Sequence, residues 1–264
     1  MKKVIFLTAF ISIFGFSQEK LTTQDFGLHK NTETVISKQY WEDGQSNIVF
    51  TEELKFYNTF LEEQKTKDGD YVTVKKYYYN IDNQLAKIET EHLNSEQYET
   101  EKFLYNKKGN LIKKEEYFNG KLLYTTEYFY DKNGFLEKEI EKNDKKIVQR
   151  SVKYINRKDE KNYTKIYEDY NDDGSIFEKG TLTYENGLVI TEEYNMFDII
   201  TKIKNSYNDK GLLTKTEIEG GDTFMYNYEY DDKGNPTKIT KTNSQNQGNS
   251  VKIITNSYST FPTN

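Results

Sequence analysis

The chain has 264 residues, 34% of them hydrophobic, 30% charged and 15% aromatic, with a formal net charge of −6. Two Ala against 23 Tyr and 16 Phe exclude a mainly helical protein, and that aromatic content also excludes a disordered one. No Cys excludes disulfides, a cysteine nucleophile and a lipidated N-terminal Cys; two His and two Arg in an acidic chain exclude a histidine metal cluster and nucleic-acid binding.

Residues 1–17 read as a secretory signal peptide. Lys2 and Lys3 precede an apolar run from Val4 to Phe16, and Gly15 and Ser17 place small residues before a cut at Gln18. The run is too short to span a bilayer comfortably, and no second long apolar run follows. The chain is therefore read as bacterial and extracytoplasmic, periplasmic or secreted, and not membrane-spanning after signal removal. Residues 18–33 form an N-terminal extension, and residues 34–264 form one β-domain.

From Tyr79 onward a turn pattern recurs: Tyr, then Asn or Asp, two free residues, Gly, one free residue, an apolar residue and often Lys. It reads YNKKGNLIK from Tyr105, YDKNGFLEK from Tyr130, YNDDGSIFEK from Tyr170, YNDKGLLTK from Tyr207 and YDDKGNPTK from Tyr230. YNIDNQLAK from Tyr79 and YNMFDIITK from Tyr194 are degenerate, with Asn83 and Asp198 replacing Gly. Asn or Asp can bond the backbone two residues on, and Gly takes the left-handed conformation that follows a type I turn. Each copy therefore predicts a hairpin.

Shorter turn signals alternate with these at Asp43-Gly44, Asp68-Gly69, Asn119-Gly120, Asn143-Asp144 and Gly220-Gly221. If every turn reverses the chain, one rim carries turns from Asn58, Asn80, Asn106, Asp131, Asn156, Asn186, Asn208 and Asp231. The other carries turns near residues 43, 68, 94, 119, 143, 171, 195, 220 and 245. The expected fold is all-β: a single up-and-down antiparallel meander of about 18 strands between Thr34 and Tyr258. It is built from hairpin repeats of about 25 residues and is curved or rolled toward a barrel. NSQNQGNS from Asn243 reads as a polar loop.

The loop length predicts cross-strand pairs just inside each turn: Tyr79 with Leu85, Tyr105 with Leu111, Tyr130 with Leu136, Tyr170 with Ile176, Tyr194 with Ile200, Tyr207 with Leu213, and Tyr230 with Pro236. This face is expected to be the buried one. Two positions further in, Lys113 should meet Phe103, Lys138 should meet Tyr128, and Lys238 should meet Tyr228. In FLEKEIEK, Lys138 is expected beside Leu136 and Ile140, with Glu137, Glu139 and Glu141 opposite; such a strand lacks a lipid-facing belt.

At these turns the chain resembles the YD-repeat (RHS) family, whose signature Tyr-Asp-x-x-Gly-x-Leu is closest in YDKNGFL from Tyr130 and YDDKGNP from Tyr230. YFNGKLLY from Tyr117 is similar to bacterial MORN-like repeats. The resemblance covers roughly residues 57–240 at the level of hairpins. Asn often replaces the family Asp, and Pro236 takes a Leu position. The resemblance implies an extracytoplasmic β-structure with a binding or scaffolding role, and it carries over no catalytic residue.

No nucleophile elbow, zinc motif, phosphate loop or dinucleotide fingerprint occurs, so no catalytic, cofactor or metal residue is assigned. The Asp residues of the turns already have turn duties, which argues against calcium ligation. A hydrolase would need a carboxylate pair that nothing singles out among 43 acids. His92 reads as an exposed strand-end residue. Two tyrosine ladders remain as candidate ligand-stacking residues: Tyr124, Tyr128 and Tyr130 on one strand, and Tyr226, Tyr228 and Tyr230 on another, beside Phe224. Buried, they would serve as core; exposed, they would stack on sugars or a polymer. The reading is a non-catalytic protein that binds a glycan, polymer or protein through a sheet face or turn edge. The alternative is an immunity or antitoxin-like protein that neutralises a toxin partner, with an acidic surface suited to a basic one.

Overall fold

The computed structural model describes residues 21–23, 26, 28, 30, 32–41, 50–244 and 250–258. The signal segment, the cut at Gln18, His29 and the turns near 43 and 245 lie outside the described residues. Among the described residues there is no helix, and 18 strands follow in order. They are β1 (Thr32–Trp41), β2 (Phe50–Tyr57), β3 (Phe60–Asp68), β4 (Tyr71–Tyr79), β5 (Leu85–His92), β6 (Tyr98–Tyr105), β7 (Leu111–Phe118), β8 (Lys121–Tyr130) and β9 (Leu136–Asn143). Then come β10 (Val148–Ile155), β11 (Tyr163–Tyr170), β12 (Ile176–Glu185), β13 (Leu188–Met196), β14 (Ile199–Tyr207), β15 (Leu213–Ile218), β16 (Thr223–Tyr230), β17 (Pro236–Asn243) and β18 (Ser250–Tyr258). The two predicted rims of turns are both present.

Each strand pairs antiparallel with its neighbours in sequence, and β1 pairs with both β2 and β18. The ladder from Thr34↔Ser257 to Trp41↔Ser250 therefore closes the meander into a ring, and no described strand is left with a free edge. A round ring of this strand number, tilted by about 40° with strands ~4.8 Å apart, would be on the order of 35 Å across between backbones.

The turns form as their residues dictate. The Asn106 side-chain oxygen accepts from the backbone N–H groups of Lys108 at 2.9 Å and Asn110 at 3.1 Å. Asp131 accepts likewise from Asn133 and Phe135, and Asp231 from Lys233 and Asn235. Gly109, Gly134, Gly211 and Gly234 sit at φ between +74° and +85°, and Asn83 takes the same role at +59°. These are the conformations for which Gly and Asn are suited.

Six of the seven predicted Tyr–apolar pairs are in register. The exception is Tyr194, which faces Thr201, while Ile200 faces Asn195. There the chain reverses through a two-residue turn at Phe197-Asp198, shorter than the repeat turn. The Lys pairings are also corrected. Lys113 opposes Leu104, Lys138 opposes Phe129 and Lys238 opposes Glu229, each one residue away from expectation. The cause is a β-bulge immediately inside each of these repeat turns, which slips the register by one. The bulge also places Leu136 on the face of Glu139 and Glu141, and Lys138 with Ile140 on the other, correcting the expected order in FLEKEIEK.

Most buried side chains lie on one face of the ring, including Leu54, Phe56, Leu61, Tyr77, Leu85, Ile88, Phe103 and Leu111. Side chains converge on the concave side of a closed sheet, so this is the inner face. Burying each such side chain contributes roughly 1.5–3 kcal/mol. Leu21, Phe26 and Leu28 pack onto this cluster at the β2–β3 turn, where Phe26 meets Phe56 edge-on at 5.5 Å. The expected burial fails for Tyr170, Ile176 and Ile200, which lie on the outer face at the opposite rim, and for Tyr230 at its own rim; Ile176, Ile200 and Tyr230 are exposed.

The outer face is polar. Lys55–Glu63, Lys87–Glu89, Lys113–Glu115, Lys142–Glu127 and Lys238–Glu229 pair across or along it at 2.6–2.9 Å. Each such exposed pair contributes about 0–1 kcal/mol. Leu104, Ile112 and Phe129 lie exposed beside these charges.

Candidate functional site

The six candidate tyrosines all point to the inner face. On β8, Tyr124 opposes Glu116 and Asn143, Tyr128 opposes Glu139, and Tyr130 opposes Leu136. On β16, Tyr226 opposes Lys241, Tyr228 opposes Ile239, and Tyr230 opposes Pro236. The two strands stand eight apart in a ring of 18, on nearly opposite walls.

Their phenols are not equivalent. Tyr130 donates to the Leu111 carbonyl at 2.6 Å, and Tyr228 donates to the Leu213 carbonyl at 2.8 Å. Burial pushes both up to about 12, with Glu139 adding to the shift at Tyr130 and the neighbouring tyrosines at Tyr228. The same bond recurs from Tyr79 to Leu61, Tyr105 to Leu85 and Tyr207 to Val189. Each acceptor belongs to the first residues after the preceding turn, beside a bulge. A bulge frees a backbone carbonyl from the ladder, and a phenol from the next repeat satisfies it. Where no tyrosine reaches, Arg157 Nη2 donates to the Leu136 carbonyl at 3.1 Å. Its guanidinium lies over the Tyr163 ring at 4.7 Å, and Tyr163 stacks on Tyr184 at 4.4 Å.

Tyr124 and Tyr226 stand outside this scheme. Both are half-buried, and the Tyr124 phenol has no hydrogen-bond partner among the described residues. The Tyr226 phenol bonds the Thr216 side chain, at the end of a buried polar chain in which Thr216 donates to Asn205 at 3.0 Å and Asn205 donates to Glu192 at 2.9 Å. Lys241 Nζ lies 4.1 Å from the Phe224 ring centre and 5.7 Å from that of Tyr226. Burial holds the Lys241 amine below its ordinary value. Tyr230 reaches the rim, where Lys210 Nζ sits 3.8 Å over its ring.

Beside the β8 ladder runs a row of inner-face charges that sequence reading did not single out. Lys114, Thr126, Glu141, Arg150 and Asp169 oppose one another across β7–β11. Lys114 bonds Glu116 at 2.8 Å and lies 3.9 Å from Glu101. Burial works against its charge, but Glu116 and Glu101 outweigh it and hold the amine above its usual value. Burial also raises Glu101, Glu141 and Asp169. The Thr126 hydroxyl, buried among them, has no partner among the described residues. The bulges move these charges to the inner face, so alternation alone could not have found them.

His92 ends β5 as expected, but it is partnered on the inner face: Nδ1 lies 3.3 Å from Thr73 Oγ1, and Nε2 lies 3.3 Å from Glu99. Among the described residues no three of His, Asp and Glu converge as metal ligands. No described helix is long and apolar enough to cross a membrane.

No family model matches the chain, and no curated protein matches it in sequence. Among solved structures it is similar to a porin-like protein from Bacteroides uniformis, with a TM-score of 0.47 and 11% identity over 86% of this chain and 98% of that one. A porin-like protein from Bacteroides vulgatus gives 0.33 and 12% over 87% of this chain and 100% of that one. The TcdB2-TccC3 structure gives 0.35 and 12%, over 84% of this chain and 16% of that one. At this level the likenesses carry no function to this chain.

Proposed function

We propose that this is an extracytoplasmic, non-catalytic YD-repeat-like binding protein that takes a glycan or similar polymer along the inner wall of its ring. The observation that carries this reading is the direction of the two tyrosine ladders. Their rings line the concave face beside carboxylates and a lysine, while the outer face is covered by paired Lys and Glu. Sugar rings bind where an aromatic face offers apolar contact and flanking polar groups take the hydroxyls. A closed ladder leaves no strand edge for adding a partner strand, which leaves faces and rims. The toxin-neutralising alternative draws on the net acidity of the chain, yet the outer face alternates both charges.

Export is part of the proposal and rests on residues 1–17; N-terminal sequencing of the exported protein should begin at or near Gln18. Retention on a panel of immobilised polysaccharides tests the site. Tyr124→Ala and Tyr226→Ala should each weaken retention of whichever polymer binds by roughly tenfold, about 1.4 kcal/mol. If no polymer is retained, or retention is unchanged in both variants, the inner wall is not the site.

A further inference from the structure

The β13–β14 turn has neither Asn nor Gly at its two central positions. Met196 pairs with Ile199, so Phe197 and Asp198 alone reverse the chain, at φ of +50° and +65°. Both central residues of such a turn need positive φ, which favours Asn and Gly. The corresponding turns at Asn119-Gly120 and Asn186-Gly187 have those residues. Of nine non-glycine residues at positive φ among those described, Phe197 is the one aromatic, and a bulky side chain is strained there.

The strained turn displays apolar surface. Phe197 is 74% exposed, Ile199 70% and Ile200 58%. Ile176, at the start of β12 on the same rim, is also exposed. The adjoining turns on this rim carry exposed acids, Asp172 and Asp173 on one side and Glu219 on the other. Glu219 is fixed by its N–H, which donates to the Lys202 carbonyl at 2.9 Å. Consecutive turns on one rim are two strands apart, about 10 Å. Exposed apolar residues gathered at one tip mark an interaction site.

We propose that this rim docks a protein partner whose apolar surface is bordered by Lys and Arg. The apolar tip supplies the buried centre of the contact. Asp172, Asp173, Asp198 and Glu219 supply a flank that attracts basic groups and repels anionic surfaces. The contact is separate from the inner wall and does not depend on the polymer reading.

The test uses a cationic amphipathic Leu/Lys helical peptide as probe, with a Leu/Glu peptide of the same pattern as control. The full chain should bind the Leu/Lys peptide at low salt and bind the control at least tenfold more weakly. Phe197→Asn combined with Ile199→Thr should lower binding at least tenfold while leaving the melting temperature equal or higher, because Asn suits the left-handed turn. Asp172→Asn with Asp173→Asn should reduce the salt dependence. Equal binding of the two peptides overturns the proposal, as does binding that survives Phe197→Asn with Ile199→Thr. Concentration-dependent self-association abolished by the same pair would assign the tip to a second copy. Phosphatidylcholine vesicle binding abolished by it would assign the tip to lipid. Either result overturns the proposal as well.

Discussion

Removing one oxygen at Tyr105 isolates the bond that ties neighbouring repeats together. Its phenol donates to the Leu85 carbonyl at 2.7 Å, while its ring packs on the inner cluster. Tyr105→Phe keeps the ring and deletes the donor. A neutral hydrogen bond contributes about 0.5–1.5 kcal/mol, and an orphaned buried carbonyl can raise the loss to about 3 kcal/mol. Tyr105 is half-buried, so water can partly replace the phenol, and a cost of about 1–2 kcal/mol is expected. For a chain of this size that lowers the melting temperature by on the order of 2–8 °C. Tyr124→Phe is the matched control: it lies on the same face but has no such bond, and it should stay within about 0.5 kcal/mol of the parent. Reversible urea unfolding of the two variants beside the parent is the assay. Equal stability of Tyr105→Phe and Tyr124→Phe would refute the claim that the phenols staple the bulges.

Two further substitutions probe the turns and the inner charges. Gly134 sits at φ +85° with open space where a Cβ would be, so Gly134→Val should cost on the order of 1–2 kcal/mol from backbone strain alone. Gly134→Asn should cost clearly less, and equal melting temperatures for the two would show that strain is not the cause. Burial, then repulsion from Glu116, raises the Glu141 carboxyl above its ordinary value of 4.5, against the pull of Lys114 and Arg150. Between the unfolded and folded values the native state holds the extra proton, so stability is greatest below the unfolded value and is lost as pH rises through the folded one. Glu141→Gln should therefore be more stable than the parent at pH 7, with the advantage gone by about pH 4. Denaturation midpoints at both pH values check the sign, and a destabilised variant at pH 7 would contradict it.

What could be read from the sequence was local chemistry. Asn106 with Gly109, or Asp131 with Gly134, makes its turn through bonds spanning four residues, so strand number and both rims follow from spacing. What could not be read was chemistry between repeats. The carbonyl freed at the bulge beside Tyr105 is that of Leu111, which Tyr130 meets from 19 residues away, and no window of alternating residues contains both. That one-residue slip carried Lys113 outward and Lys114 inward, which is why the inner charge row stayed hidden. Ring closure was equally hidden, because β1 and β18 meet from opposite ends of the chain. The turn at Phe197 was misread as a repeat turn because Tyr194 supplied the pattern, while the apolar tip follows a different rule.

The division among the tyrosines bears most directly on function. Composition alone offers 23 of them as equals. The structure engages Tyr79, Tyr105, Tyr130, Tyr207 and Tyr228 by their hydroxyls, and a residue so engaged cannot be removed without loosening the sheet. Tyr124 shares the inner wall without that duty, and Tyr226 bonds the Thr216 side chain in place of a bulge carbonyl. A core that needed only apolar filling could use Phe at Tyr124, where the phenol finds no partner among the described residues. Retaining a hydroxyl there, next to Glu116 and Lys114, is what a wall facing a polar ligand needs. If Tyr124→Phe weakens polymer retention while leaving stability intact, the hydroxyl serves the ligand. If retention needs only the ring, stacking carries the contact, and the hydroxyl merely keeps the ring compatible with water.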